Sequence, residues 1–505
     1  MGVMSVLPVP PEGCGGCADR DMVIAAQAAQ IAAQAAEVRD LRERLGRLER
    51  LVASNSGNSS FPPSMDGQPG RKRRAPRPRP EGGAAKRRPG KQPGAPGASL
   101  GWRDEPDERV PVRPAGRCGC GADLAGAADL GTVASHQQVD IPLVTARVTQ
   151  YDLHAARCAC GRAAVAARPP GLGLAGTVTY GPNLQAWCVY LMAAHAVPVH
   201  RCAELVAALA GAAPSPGFVH GLLARAAAAV APANRLIRSL VIWAGAVSCD
   251  ETAVRAGPGP SWRKRHLLVA ATARLTCYAF GDRDAAAFAR FVLPDLAGTV
   301  VHDRYQVYDH KSLGTLTHQL CCAHLLRDLQ AAAGTYPASA WPAAAAAALR
   351  QLIHAANQAR DKGLPAVPPQ AAVPLTAAFR GAVATGLAEM TAMPRGLRKN
   401  YRQPCQKLLE DLRDRENDVL RFTTDLRVPP TSNQAERDLR PAKTQDKISG
   451  RLRSETATRH RYAIRGYLST AAKHHTDTLT ALRDALLGTP WMPPIPDTAL
   501  NPAQP

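Results

Sequence analysis

Three acidic residues, far apart in the chain, each lie where a metal ligand could form. They are Asp250, Asp303 and Glu436, in the strings SCDET, VHDRY and NQAER. Asp250 and Asp303 follow apolar, β-branched runs at 241–247 and 299–301 that predict strands, and Glu436 opens a helix-like stretch. Two carboxylates at strand ends and one on a helix could form an open site for Mg²⁺, which prefers oxygen ligands and leaves room for a substrate phosphate. Two such ions about 3.5–4 Å apart can stabilise both the attacking and the leaving oxygen of a phosphodiester.

The acidic strings occur together with other motifs in an order typical of one family. The chain resembles the DDE transposases of bacterial insertion sequence 66 over almost its whole length, from about residue 37 to about residue 490. The resemblance rests on NSGNSSFPPS at 55–64, GKQPGAPG at 90–97, two paired-cysteine sites and the three acidic strings. It implies that the three acids are the catalytic triad, holding two Mg²⁺ (or Mn²⁺) ions.

Other polar residues near the acids are candidates for auxiliary roles. Glu251 directly follows Asp250, and successive strand residues point to opposite faces, so only one of the two can face the metals. The family pattern favours Asp250. His324 and Arg327 share a helix face and could contact the scissile phosphate or the carboxylates. The alternative is a structural role, which is the commoner one for a single histidine.

Basic residues follow the third acid closely. Lys443 lies two turns after Glu436 and roughly on its face, although Pro441 should kink or end the helix between them. Further cations nearby are Arg437, Arg440, Lys447, Arg451 and Arg453. These cations form either a solvated helix face or a phosphate-binding surface, and their position beside the acid favours phosphate binding.

Charge favours a polyanionic partner. The 505 residues include 62 Lys and Arg against 41 Asp and Glu, a formal excess of 21, for which nucleic acid is the default partner. Residues 71–91 contain ten of these cations. Four of them are consecutive: Arg71, Lys72, Arg73 and Arg74. A disordered basic segment can bind DNA, because counterion release requires only charge near the phosphates.

The sequence predicts a cytoplasmic protein associated with the nucleoid. The N-terminus lacks the pattern of a secretory signal, and the least charged stretch, 169–200, is interrupted by Gly, Pro, Asn, Gln and His. We therefore expect no membrane partner. The 13 cysteines favour free thiols and metal ligands over disulfides.

The N-terminal region should contain a helix and a linker. After a disordered tail at 1–20, residues 21–54 have apolar residues at intervals of seven, which predicts a short coiled coil and self-association. These residues are Ile24, Ile31, Val38, Leu45 and Val52. A helix packed on its own domain is the alternative. Residues 55–114 are basic and rich in Pro and Gly, so we expect a disordered linker.

Two cysteine pairs suggest a metal-binding module at 115–165. Cys118 and Cys120, and then Cys158 and Cys160, could hold one tetrahedral Zn²⁺ from two glycine-flanked turns. The family resemblance also implies a zinc-finger module here. Zinc-binding pairs usually have two or more intervening residues, whereas these have one, so unmetallated cysteines are the alternative.

Residues 182–240 read as helices. Helical patterns at 199–210 and 215–228, separated by GAAPS, resemble a helix-turn-helix, with Ser215 as N-cap and Pro216 at the first helical position. The second helix either enters a DNA groove or only packs against its neighbour, since His220 and Arg225 are its only strongly polar residues.

Residues 241–475 are predicted to form a ribonuclease H-like α/β catalytic domain. Its predicted elements are strands at 241–249, 264–272, 275–280 and 299–303 and a helix at 283–293. Residues 338–425 are Ala-rich with helical periodicity, which predicts an inserted helical subdomain. A C-terminal helix and a Pro-rich tail should follow at 476–505. The chain is thus predicted to be a multidomain α/β protein.

These features predict a metal-dependent DNA transposase, a polynucleotidyl transferase. It would bind the ends of its insertion sequence, cleave them with water, and transfer the 3′-hydroxyls to target DNA without a covalent protein–DNA intermediate. A homo-oligomer is implied because two ends must be cut in concert, and small accessory transposition proteins are further candidate partners. The alternatives are a catalytically inactive DNA-binding regulator and a ribonuclease H-like nuclease without strand transfer.

Overall fold

The computed structural model describes residues 24–38, 40–41, 45, 101–141, 144–169, 178–257, 265–393 and 405–496. The chain divides into two compact units, Pro76–Val148 and the remainder. Residues 55–100 of the expected linker, the cations at 71–91, and residues 1–20 and 497–505 of the expected tails lie outside the described residues.

The N-terminal heptad segment is helical where it is described. Residues 24–38 form a helix, and Ile24, Ile31 and Val38 are exposed on it. Val52, the last predicted heptad position, lies outside the described residues. Because this is a single chain, the coiled coil and the self-association stay predictions.

The described part of the unit Pro76–Val148 contains no buried residue. Its only regular element there is a 3₁₀ turn, Leu124–Gly126, whose preceding Asp123 side chain accepts a hydrogen bond from Ala125 N at 3.0 Å. Leu130 and Val133 are more than nine-tenths exposed. A region without an apolar core needs another source of stability, such as a bound metal.

Four helices precede the sheet in the larger unit. They are α1 (Pro182–Ala193), α2 (Val199–Ala210), α3 (Pro216–Ala229) and α4 (Ala231–Ile242). Ser215 caps α3 by accepting a hydrogen bond from Phe218 N at 3.2 Å, and Pro216 is its first residue, as the sequence predicts. Gly211 ends α2 at a φ of +67°, a conformation that glycine adopts easily.

The predicted strand at 241–249 is wrong over its first residues, because α4 continues to Ile242. Ile237, Leu240 and Val241 are buried at helical spacing, so tertiary packing overrides the strand preference of the Val-Ile-Trp run. The strand itself begins at Ala246.

A five-stranded mixed sheet forms the centre of the larger unit. Its strands are β3 (Ala246–Val254), β4 (Arg265–Ala271), β5 (Thr276–Gly281), β6 (Thr299–His302) and β7 (Thr317–Leu320), and a separate hairpin pairs β1 (Ala155–Arg157) with β2 (Ala163–Val165). The strand order is β5-β4-β3-β6-β7. β4 is antiparallel to both β3 and β5, whereas β6 is parallel to both β3 and β7.

The fifth strand, β7, is absent from the sequence-based expectations. Its sequence, THQL, has weak strand preference, and its buried Gln319 forms hydrogen bonds with distant backbone as well as with the adjacent Leu320 O. Gln319 Nε2 donates to Val419 O at 2.9 Å, and its Oε1 accepts from Phe422 N at 2.9 Å. The predicted helix at 283–293 is also shorter, as α5 (Ala285–Ala289) followed by a 3₁₀ turn at Leu293–Asp295.

A helical layer follows β7. It contains α6 (Cys322–Thr335), α7 (Trp341–Asp361), α8 (Pro369–Ala392), α9 (Gln406–Asp414) and α10 (Glu416–Thr424), which share one apolar core. A Cβ on Gly386 would lie 2.7 Å from Leu409 Cδ2 and 2.8 Å from Trp341 Cδ2, so α8 approaches its neighbours closely at this glycine. Among the described residues, α8 alone is long and apolar enough to cross a membrane, which is weak evidence because core helices pass the same test.

Three helices complete the larger unit: α11 (Asn433–Ile448), α12 (Glu455–Lys473) and α13 (Thr478–Leu486). α11 packs on β3 and β4, and it continues through Pro441 rather than ending there. α12 and α13 share a core with α1, α2 and α3, which connects the N-terminal helices to the sheet region.

A buried ion pair holds α11 on the sheet. Lys473 Nζ lies 2.8 Å from Asp438 Oδ2 and also donates to Thr272 O and Leu275 O at 2.9 Å each. The side chains of Lys473 and Asp438 are 13% and 10% exposed. The pair therefore links α11 to α12 and to the turn between β4 and β5.

Replacing Lys473 with Met should lower the free energy of unfolding by about 3–5 kcal/mol, because Asp438 would stay buried without its cation. Denaturant unfolding followed by circular dichroism measures this change. Arg459→Met, on the same helix, is the matched control, since its pair with Glu455 is exposed and worth about 0–1 kcal/mol. Equal losses for the two variants would contradict the role of the buried pair.

Candidate active site

Strand register brings the two candidate aspartates to the same level. In the parallel pair of β3 and β6, Ser248 is aligned with Val301. Asp250 and Asp303 each follow two residues later, so both reach the carboxyl end of this pair side by side. Their proximity is visible electrostatically, since Asp303 raises the pKa of Asp250.

Strand alternation places Asp250 on the face that α11 covers. Val247 and Cys249 of β3 pack into the core on the α4 and α5 side, whereas Val254 packs against α11. Because side chains alternate, Asp250 shares the face of Val254 and Glu251 takes the opposite face. The first turn of α11 packs over the face that carries Asp250 through Ala435, the residue directly before Glu436.

Glu251 is paired with polar groups on its own face of the sheet. Its carboxylate lies 2.6 Å from Arg283 NH2 and accepts a hydrogen bond from the Tyr308 hydroxyl at 3.2 Å. The Arg283 guanidinium also lies over the Tyr305 ring, 3.8 Å from its centroid. Glu251 is thus engaged away from the face of Asp250.

Asp250 is a buried carboxyl group crowded by other carboxyl groups, which disfavours its charged form. Loss of water contact raises the pKa of Asp250 well above its ordinary value, and the charges of Glu251 and Asp303 raise it further. Within the described ranges, no Lys or Arg forms an ion pair with either aspartate. Their hydrogen bonds are local: Asp250 Oδ1 accepts from Glu251 N at 2.8 Å, and Asp303 Oδ1 from Tyr305 N at 2.9 Å. Paired carboxylates without a cation fit a hard divalent ion.

Glu436 contacts both auxiliary candidates. Its Oε1 lies 3.4 Å from Arg327 NH2 and 4.0 Å from His324 Nε2. Burial opposes a charged imidazole, but interaction with Cys321 outweighs it and raises the pKa of His324 to about 9, with a smaller contribution from Asp303. The structure therefore gathers His324 and Arg327 at the third acid.

The three acids are not drawn together around one point. In the part of the chain that the structure describes, no three His, Cys, Asp or Glu residues form a group that could hold a metal ion. Glu436 would have to exchange its contact with Arg327 to join the aspartates.

A cavity of about 650 Å³ lies beside Asp303 and His324. Its other walls come from the loop after β6 and from α9, which supplies Lys407. Arg304 joins these walls, with NH2 2.7 Å from Asp328 and NH1 2.8 Å from Asp411. A cavity of this size can accommodate a small ligand or part of a larger one.

Comparison with known proteins gives the family. The model of the transposase IS66 family matches residues 177–460. The chain belongs to this family. A second model, of a family of unknown function (DUF6444), matches residues 19–100, and no curated protein matches the chain.

The transposase match covers the whole candidate site. It includes the three acids together with His324 and Arg327, and it begins after both cysteine pairs. The family resemblance of the sequence is therefore confirmed, while the roles of individual residues in this transposase family member stay predictions.

Each cysteine pair lies in a tight, exposed turn. Cys118 N donates to Ala122 O at 2.9 Å, and Gly121 follows at a φ of +90°. Cys158 N donates to Arg162 O at 2.8 Å, and Gly161 has a φ of +87°. Hydrogen bonds from Cys120 and Cys160 lower the pKa of Cys118 and of Cys158 respectively, which favours thiolates, the form that binds metal.

The cysteine pattern of the sequence predicts about one zinc ion per chain in protein purified without chelators, bound by Cys118, Cys120, Cys158 and Cys160. Among the described residues, which include all four cysteines, no three His, Cys, Asp or Glu side chains form a group that could hold a metal ion, so zinc binding stays a prediction. Elemental analysis measures the ion, and replacing Cys118 and Cys120 with Ser should remove it. Replacing Cys14 and Cys17 with Ser is the matched control and should leave it. Wild-type protein without zinc would refute the site.

Several contacts around the acids involve residues that the sequence did not point to. Arg283 lies in the turn after β5 and only the folded sheet brings it to Glu251. Tyr308 packs against Phe288 and stacks on His302, with ring centroids 5.2 Å and 4.2 Å apart. Tyr308 is 2% exposed, which is consistent with a packing role.

Proposed function

We propose that the chain is a metal-dependent DNA transposase that cleaves the ends of its insertion sequence and transfers the 3′-hydroxyls to target DNA. The observation that carries the proposal is the parallel register that aligns Asp250 with Asp303 beneath the helix bearing Glu436. Membership of the transposase family supports the same conclusion.

The sheet supports a ribonuclease H-like core. Three antiparallel strands are followed by two parallel ones, in the order β5-β4-β3-β6-β7, and an acid lies on the central strand and after its parallel neighbour. In this proposal, α7 to α10 are an inserted helical subdomain between β7 and α11.

Asp250, Asp303 and Glu436 would hold two Mg²⁺ or Mn²⁺ ions, and bound ions of this kind stabilise the attacking and leaving oxygens of a phosphodiester. The remaining side chains have separate tasks. Arg283 forms an ion pair with Glu251 and Tyr308 donates a hydrogen bond to it, which leaves Asp250 as the carboxylate of the two that is available to the metal ions. His324 and Arg327 place positive charge where a scissile phosphate would lie. Water attacks first and a DNA 3′-hydroxyl second, so no protein nucleophile is required.

The exposed cations of α11 support a path for DNA leading away from the site. Glu436, Arg440, Lys443 and Lys447 are spaced by four, three and four residues, which places them on one helix face. The three cations are exposed, as are Arg437, Arg451 and Arg453 nearby. A row of cations that begins at a catalytic acid is better explained by binding of DNA phosphates than by simple exposure to solvent.

End recognition is proposed for the modules that precede the sheet. On α3, Val219, Leu222 and Leu223 are buried, whereas His220 and Arg225 are exposed. The buried face accounts for packing, and the exposed face is available to a DNA groove. The helix at 24–38, with its exposed heptad positions, supports assembly into a homo-oligomer that holds two ends. The DNA substrate would place the reaction at the nucleoid.

Purified full-length protein incubated with end DNA, target DNA and Mg²⁺ tests the proposal. Cleaved ends joined to target are the expected product. Nicked ends without joined product would favour a nuclease, and end binding without cleavage would favour an inactive regulator. Adding accessory transposition proteins would show whether they are required.

A further inference from the structure

A single buried thiol connects the elements that carry the candidate site. Cys321 lies between β7 and α6 and is 1% exposed. Its backbone N–H donates to His302 O at 2.7 Å, the residue directly before Asp303. Cys321 is therefore tied to the strand end that presents the second acid.

The sulfur of Cys321 holds the start of α11. Its Sγ accepts a hydrogen bond from Ser432 N at 3.2 Å, across 111 residues of sequence. Ser432 precedes the first residue of α11, and its own side chain makes no capping hydrogen bond. The first N–H groups of a helix need acceptors from elsewhere, and here a cysteine supplies one four residues before Glu436.

His324 lies in the first turn of α6, three residues after Cys321. Its backbone N–H donates to Cys321 O at 3.0 Å. The His324 ring in turn lies 4.0 Å from Glu436. The helix start and the imidazole, which both approach the third acid from this side, thus adjoin Cys321.

Simple core packing does not account for these contacts, as the next residue shows. Cys322 is also fully buried, but its Sγ faces Leu320 O and Val419 O, at 3.8 Å and 3.7 Å, within the core of the helical layer. Two adjacent cysteines of equal burial therefore point to different places, and only Cys321 contacts the elements of the site.

We propose that Cys321 is a positioning residue, whose thiol fixes the start of α11, and hence Glu436, relative to His324 and the end of β6. The expected effect on cleavage rests on the proposed function. The expected effect on the position of α11 rests on the contacts of Cys321 alone.

Three full-length variants test the proposal: Cys321→Ala, Cys321→Ser and the matched control Cys322→Ala. The measurements are the Mg²⁺ concentration that gives half-maximal cleavage of end DNA, the affinity for end DNA, and amide hydrogen exchange in peptides covering 430–436. Residues that orient metal ligands typically change metal affinity by about 10- to 100-fold.

Cys321→Ala should raise the half-maximal Mg²⁺ concentration by roughly tenfold or more, speed exchange at 430–436, and leave DNA affinity unchanged. Cys321→Ser should have a smaller rise in the Mg²⁺ requirement and slower exchange than Cys321→Ala, because its hydroxyl can accept a hydrogen bond from Ser432 N. Cys322→Ala should match the wild type in its Mg²⁺ requirement and in exchange at 430–436, even if the variant is less stable.

Wild-type exchange and an unchanged Mg²⁺ requirement in Cys321→Ala would overturn the proposal, as would equal changes in Cys322→Ala. If Cys321→Ala does not fold, the test uses Cys321→Ser and Cys321→Val instead. A wild-type Mg²⁺ requirement in Cys321→Ser, together with wild-type hydrogen exchange at 430–436 in Cys321→Val, would reject the role. If the wild type cleaves no DNA, the proposed function fails. Exchange at 430–436 would then still accept or reject the thiol contact by itself.

Discussion

Replacing Asp303 with Ala should reduce end cleavage on the order of 10³-fold or more while leaving end binding nearly unchanged. Asp250→Ala and Glu436→Ala should have the same effect. In the proposed function the carboxylates hold the metal ions on which the chemistry depends, whereas DNA affinity comes from Lys and Arg. Cleavage of labelled end DNA with Mg²⁺ and a mobility-shift assay on the same preparation measure the two quantities.

Asp309 offers a matched control for this result. It lies in the same loop as Asp303, is 41% exposed, and pairs with Arg415 at 3.0 Å. Asp309→Ala should therefore retain cleavage, since its carboxylate already has a cation partner. Full cleavage by Asp303→Ala would refute the triad, and an equal loss in Asp309→Ala would attribute the effect to the loop rather than to metal binding.

Neutralising Arg71, Lys72, Arg73 and Arg74 together should flatten the dependence of log affinity on log salt by up to about three to four units, since each neutralised phosphate contributes about 0.9. Affinity for element ends and for random DNA should fall alike. The sequence predicts a disordered segment here, and a segment of that kind has no rigid element with which to read base edges, so it should add affinity without specificity. Titrations at several salt concentrations with both DNAs measure the slopes.

A charge-preserving variant separates the two mechanisms for this segment. Replacing Arg71, Arg73 and Arg74 with Lys keeps the charge but removes bidentate hydrogen bonding, so the salt slope should stay at its wild-type value. Selective loss of end binding in this variant would mean that the arginines read sequence. An unchanged slope in the neutralised variant would mean that these cations face solvent in the complex.

Local features of the sequence predicted much of the secondary structure. Ser215 and Pro216 start a helix because a capping hydroxyl and a fixed φ act within one turn. Strands β4 and β5 follow from short apolar runs. The run at 241–243 misled because β-branched residues also occur on buried helix faces, and β7 was missed because its buried Gln319 has partners about 100 residues away.

For the candidate site too, some features followed from the sequence and others only from the tertiary structure. The sequence by itself determined which residues could do the chemistry: three acids in strand-end and helix-start settings, a histidine and an arginine on one helix face, and a strong positive charge. These are properties of residue type and spacing of a few positions. Family membership, carried by the same strings, was also available from the sequence.

Only the tertiary structure decided which of these groups meet. The register of β6 on β3 aligns Asp250 with Asp303, and Arg283 engages Glu251, although no local pattern specifies either contact. Cys321 reaches Ser432 over 111 residues for the same reason. Packing of apolar faces brings distant segments together, and the resulting alignment of strands and helices determines which polar groups face each other.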